Sequence, residues 1–145
     1  MWGLILTSAL AAPASAGLCV GGWGVINPAA HIEVLAPEVG LTVGYGHLQA
    51  SFVDHLFLTV AGPDHLYGLD VRWRFAAAGE GVRPYLAPGV GAYLGGPLPV
   101  VPVARVEGGA LWSRSHLWAS AGLDAMGSMR AVGVGPRLTV GGSWP

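Results

Sequence analysis

From His65 to Phe75 the chain alternates between two kinds of side chain, and that period of two dictates its backbone. Tyr67, Leu69, Val71, Trp73 and Phe75 are large and apolar, while the interleaved Gly68, Asp70, Arg72 and Arg74 are small or charged. A β-strand points successive residues to opposite faces, so one side is oily and the other ionic. A helix would scatter both sets around its circumference. An aromatic, apolar face backed by a face carrying both signs of charge suits the wall of a membrane barrel. There, lipid lies on one side and a polar filling on the other.

Composition decides which face is outside. Alternation by itself also fits a soluble barrel with an oily cavity. Charged residues make up 10% of this chain and hydrophobic residues 52%, against about 25% charged residues in ordinary soluble domains. That is too little charge to clothe a soluble exterior. All seven basic residues are arginine and the net charge is −1, so nothing favours nucleic acid as a partner. The 24 glycines and 11 prolines do not mark disorder, because disorder requires low hydrophobicity. Cys19 is the sole cysteine and excludes an internal disulfide. Leu18 before it is unlike the small residue that lipid attachment needs, so Cys19 reads as a strand residue.

Residues 1–16 read as a secretory signal peptide: Trp2–Ala12 is apolar, and Ala14-Ser15-Ala16 is a small-residue cleavage site. The mature domain is then 17–145. Pro84–Ala104 carries no charge but holds five prolines, each costing a helix interior about 3 kcal/mol, so it is not a spanning helix. Turn signals divide the mature chain into eight strand-length segments: 17–26, 34–46, 48–60, 65–77, 82–94, 100–112, 116–126 and 131–143. The fold class is all-β, an eight-stranded antiparallel up-and-down transmembrane β-barrel. Asp54-His55 interrupts the alternation of the third segment and predicts a bulge or bend. Pro84 and Pro88 count against a regular ladder in the fifth.

Eight strands leave an interior filled by side chains, not an open pore. Glu38, Asp70, Arg72, Arg74, Arg105, Glu107, Asp124 and Arg137 fall on the polar faces, four acids and four arginines. Burial demands such a balance, and the arginine fork suits it. Trp23, Tyr45, Tyr67, Trp73, Tyr85, Tyr93 and Trp112 are expected in the girdles at the two membrane interfaces. Trp118 instead shares a face with His116 and Asp124.

No catalytic, cofactor or metal residue is assigned. His116, Ser120 and Asp124 share a strand face, but four strand residues span about 13 Å, far beyond the ~3 Å a nucleophile and its base need. The five histidines lack metal-ligand spacing and read as solvated or girdle-level. Gly21-Gly22-Trp23-Gly24 and Gly89-Val90-Gly91 are followed by no helix and no Lys-Ser/Thr, so they are not phosphate loops.

The leader, the Leu66–Phe75 strand, the run Arg83-Pro-Tyr-Leu-Ala-Pro-Gly-Val-Gly-Ala-Tyr and the closing Val132–Val140 segment together resemble the small eight-stranded outer-membrane barrels of Gram-negative bacteria, the OmpA/OmpX type. The resemblance implies residence in the cell outer membrane, with outer-membrane lipid and the barrel assembly machinery as partners. It further implies a structural or surface-interaction role. The alternatives are a soluble periplasmic barrel binding an apolar ligand and a lipid-modifying outer-membrane enzyme. This chain departs from the type in its short links and in ending on Trp144-Pro145.

Overall fold

The computed structural model describes residues 14–26, 32–59, 62–95, 98–129 and 132–144. They form nine strands: β1 Ala14–Ile26, β2 Ile32–Tyr45, β3 Leu48–Thr59, β4 Gly62–Trp73, β5 Phe75–Ala76, β6 Gly81–Gly95, β7 Leu98–Arg114, β8 Leu117–Gly127 and β9 Val132–Trp144. Each pairs antiparallel with its neighbour in sequence, except that β4 and β5 both pair with β6. β4 and β5 are one stave interrupted at Arg74. Pairing of β1 with β9 closes eight staves into an up-and-down barrel. Every expected segment coincides with one stave.

The ladder registers define the barrel's geometry. Paired residues lead once around the wall from Ser15 through Gly44, Gln49, Arg72, Gly89, Arg105, Met126 and Gly133, returning to β1 at Val25. That stagger of ten residues over eight strands tilts the strands by about 40° and leaves a lumen that side chains can fill. Ala14 and Trp144, the outermost described residues of β1 and β9, lie together at one end of the barrel, the chain-end rim, since Ala14 pairs with Tyr45 and Trp144. The turns 46–47, 77–80 and 115–116 share that end.

Three of the prolines lie where the ladder on one side of their strand is interrupted or ends. Pro88 faces Trp73 beside the interruption at Arg74, between the Arg72–Gly89 and Phe75–Leu86 pairs. Pro84 lies just past the last β5–β6 pair, Ala76–Tyr85. Pro136 occupies the gap in the β1–β9 ladder between Gly21–Arg137 and Gly24–Val134. Proline donates no hydrogen bond, so such gaps are where a strand tolerates it.

The expected bulge at Asp54-His55 is corrected. β3 pairs without a register shift, from Glu38–His55 to Tyr45–Leu48 on one side and along β4 on the other. The alternation fails there because an apolar residue, Val53, points inward and a charged one, Asp54, points outward.

Exposure sorts every stave the same way. Leu18, Val20, Val39, Leu41, Val43, Leu69, Val71, Leu138 and Val140 stand on the exposed outer wall, each roughly half accessible. Glu38, Asp70, Arg72, Arg105, Glu107, Asp124 and Arg137 are buried inside. An oily exterior around an ionic interior is the inverse of a water-soluble protein, and this wall is built to face hydrocarbon.

Candidate functional site

The interior is layered, and its middle layer is ionic. Arg72 grips Asp70 with two hydrogen bonds, Nε to Oδ1 at 2.7 Å and Nη2 to Oδ2 at 3.1 Å. Its third nitrogen, Nη1, donates to Glu107. Arg105 donates to Asp70 Oδ2 at 2.7 Å and also to Asp124. Arg137 completes the set, 3.3 Å from both Asp124 and Glu38, and donates to the buried Cys19 sulfur at 3.2 Å. Seven side chains from β2, β4, β7, β8 and β9 thus meet across the lumen. Each arginine bridges at least two acids, which a lysine point charge would do less well. Glu38 is held differently. Neither of its carboxylate oxygens accepts a hydrogen bond among the described residues, so ion contacts at 3.3–3.8 Å hold it.

Above this layer, on the side away from the chain ends, lie His55 and Tyr93. Tyr93's hydroxyl and His55 Nε2 are hydrogen-bonded at 3.0 Å, and the same nitrogen is 3.7 Å from Glu38. Below it lies an apolar floor of Tyr85, Ala87, Leu111 and Trp118, with Tyr85 donating its hydroxyl to Glu107. Arg74 belongs to the floor: its guanidinium lies 4.8 Å from the Trp118 ring centroid and 5.6 Å from that of Tyr85. Cation–π attraction of this kind takes the place of a carboxylate partner. The central cluster has four acids against three arginines, and Arg74 supplies the remaining positive charge one layer down.

Several expectations are therefore corrected. Arg74 faces the interior but makes no ion pair among the described residues. Tyr85 and Tyr93 are not girdle residues; both are buried inside, where Tyr85 donates its hydroxyl to Glu107 and Tyr93 shares a hydrogen bond with His55. Buried tyrosines need such partners. His55 is not solvated: it is 2% exposed. Tyr45, Tyr67, Trp73 and Trp112 do stand on the outer wall. The first, third and fourth form, with Phe75 and Trp144, a belt near the chain-end rim. Trp23's side chain lies outside the described residues. His116 is exposed in the 115–116 turn while Ser120 and Asp124 are buried, so the three do not converge. Among the described residues no cluster of His, Cys, Asp and Glu has the makings of a metal site.

One pair escaped notice in the sequence. On the outer wall His65 Nδ1 lies 3.0 Å from both oxygens of Asp54, and the imidazole stacks on Tyr67, which stacks on Phe52. This is a polar mark on an otherwise oily surface, placed toward the rim opposite the chain ends.

Glycine makes the filling fit. A Cβ at Gly141 would come within 2.6 Å of the Trp118 ring, and one at Gly89 within 2.7 Å of the Arg72 side chain. Either addition would displace a floor or network residue.

No known family's sequence profile matches the chain, and no curated protein is similar to it in sequence. Solved structures are similar in shape. Neisserial surface protein A aligns with a TM-score of 0.67 at 11% identity, over 90% of this chain and 97% of that one. The N-terminal barrel of Pseudomonas aeruginosa OprF gives 0.58 at 18% identity, over 90% and 97%. The attachment invasion locus protein Ail of Yersinia pestis gives 0.52 at 11% identity, over 92% and 97%. With eight staves, an ionic interior and an apolar wall, this chain has the fold of the small eight-stranded outer-membrane β-barrels.

Proposed function

We propose that the protein is an integral outer-membrane barrel with a structural role, neither a channel nor an enzyme. One observation carries this reading: three packed layers, with Arg72, Arg105 and Arg137 tied to four acids at the centre, occupy the lumen. A filled eight-stranded lumen offers no conduit. The soluble alternative, binding an apolar ligand, is disfavoured by an interior that is ionic where such a ligand would sit. A lipid-modifying activity gains nothing from the separated His116, Ser120 and Asp124.

Structure is favoured over surface interaction by the shortness of the links at the rim away from the chain ends. The strand bounds leave only 27–31, 60–61, 96–97 and 128–131. Ail has been solved with the heparin analogue sucrose octasulfate. A polyanion of that kind needs a basic surface, and Arg130 is the one arginine in these four links.

Reconstituted into planar bilayers, the protein is expected to give no stepwise conductance; a stable ohmic channel would contradict a closed lumen. A deletion strain is expected to become sensitive to detergent. A chain with all four links replaced by Gly-Ser should rescue it, whereas failure of that rescue would favour a surface role.

The leader 1–16 belongs to the same proposal. β1 begins at Ala14, so cleavage after Ala16 would start the first stave at Gly17, within the β1–β2 and β1–β9 ladders. N-terminal sequencing of the outer-membrane form checks this.

A further inference from the structure

We infer that the outer wall holds a seat for one lipid acyl chain, between the ends of β7, β8 and β9 farthest from the chain termini. This rests on the reading that the outer wall meets lipid. A hollow of about 350 Å³ opens there, lined by Ala104, Val106, Ala125, Met126, Gly127 and Val132, and by Arg105, whose side chain turns into the lumen. Its floor follows from the sequence: the outward positions of the facing strands are Ala104 and Val106 on β7, and Ala125 and Gly127 on β8. Three of these four are alanine or glycine, so the wall is thin there, whereas the adjoining staves present Val90 on β6 and Val132 and Val134 on β9. The space at Gly127 is open, since an added Cβ would meet nothing within 4 Å.

The depth of the hollow and its shape identify the occupant. Val106 and Ala125 pair one residue beyond Glu107 and Asp124, members of the central ionic layer. Strand residues rise about 3.3 Å each, so the hollow lies within the apolar band, roughly 25 Å tall in such barrels. It is continuous with the lipid-facing wall and has no charged side chain on its outward positions. A second copy of the barrel would present a convex wall, which touches another convex wall along a line and leaves a depression empty. A flexible run of methylenes follows the depression. An apolar concavity of this size is at the small end of the range of ligand pockets.

The test is proton NOE spectroscopy on methyl-labelled protein in dimyristoylphosphatidylcholine nanodiscs. Cross-peaks from acyl-chain methylenes to the Ala104 and Ala125 methyls should be at least threefold stronger than those to Ala110 and Ala121, which face outward on the same strands. In Gly127→Leu, whose side chain enters open space, that excess at Ala125 should disappear while Ala110 and Ala121 keep their intensities. Equal intensities at all four alanines in the unmodified protein would overturn the seat and leave the membrane reading intact. Absence of lipid cross-peaks at all four would overturn both.

Discussion

Arg105→Met is expected to destabilise the barrel by about 3–5 kcal/mol, because removing one member of a buried ion cluster strands its partners. Arg105 donates to Asp70 and Asp124 and lies 3.8 Å from Glu38. Methionine leaves four carboxylates sharing Arg72 and Arg137. Urea unfolding in lipid vesicles, followed by loss of the heat-modifiable folded band, measures the effect. Arg105→Met combined with Asp124→Asn should recover much of the loss, since removing both partners of a buried pair is often close to neutral. If the single variant unfolds at the original urea concentration, the central layer does not hold the staves together.

The second large effect is on the other face. Leu69→Arg places a charge on the outer wall beside Asp70, at the level of the ionic layer, where the bilayer is deepest. Arginine at the midplane of such a wall costs about 2–4 kcal/mol, falling to about 0–1 near the interfaces. Leu117→Arg, two residues from the Ser115 turn, is the matched control. Unfolding equilibria in vesicles should show Leu69→Arg weakened by about 30- to 1000-fold and Leu117→Arg by no more than about fivefold. Equal effects at the two positions would remove depth as the cause, and with it the bilayer.

The parity of nearly every stave was legible in the sequence because side-chain direction in a strand is a local property. Where parity was misjudged, the information was present but masked by residue type. Tyr85 and Tyr93 share their face with Ala87, Gly89 and Gly91, while Leu86, Val90 and Leu94 hold the opposite one. Tyrosine's preference for interfaces argued for the girdle. The small companions on its own face, and acids elsewhere for its hydroxyl, argued for the lumen. At Val53 and Asp54 two residues exchanged their customary faces and imitated a bulge.

Height was not legible. Whether Arg74 meets a carboxylate depends on the stagger between distant strands, and no local pattern encodes that quantity. Stagger places Arg74 beside Trp118 and Tyr85, one layer below the acids that its sequence neighbour Arg72 reaches. The Asp54–His65 pair was hidden for the same reason, its members being joined only by the β3–β4 register.

The most direct test of the wall's orientation is spin-label accessibility at Leu41, Leu69 and Leu138, each replaced by cysteine in a Cys19→Ser background and reconstituted into vesicles. Labels at all three should collide readily with dissolved oxygen and hardly at all with a water-soluble nickel chelate. Comparable collision rates with the chelate at these positions would mean that water bathes the oily face, and the membrane account would be wrong.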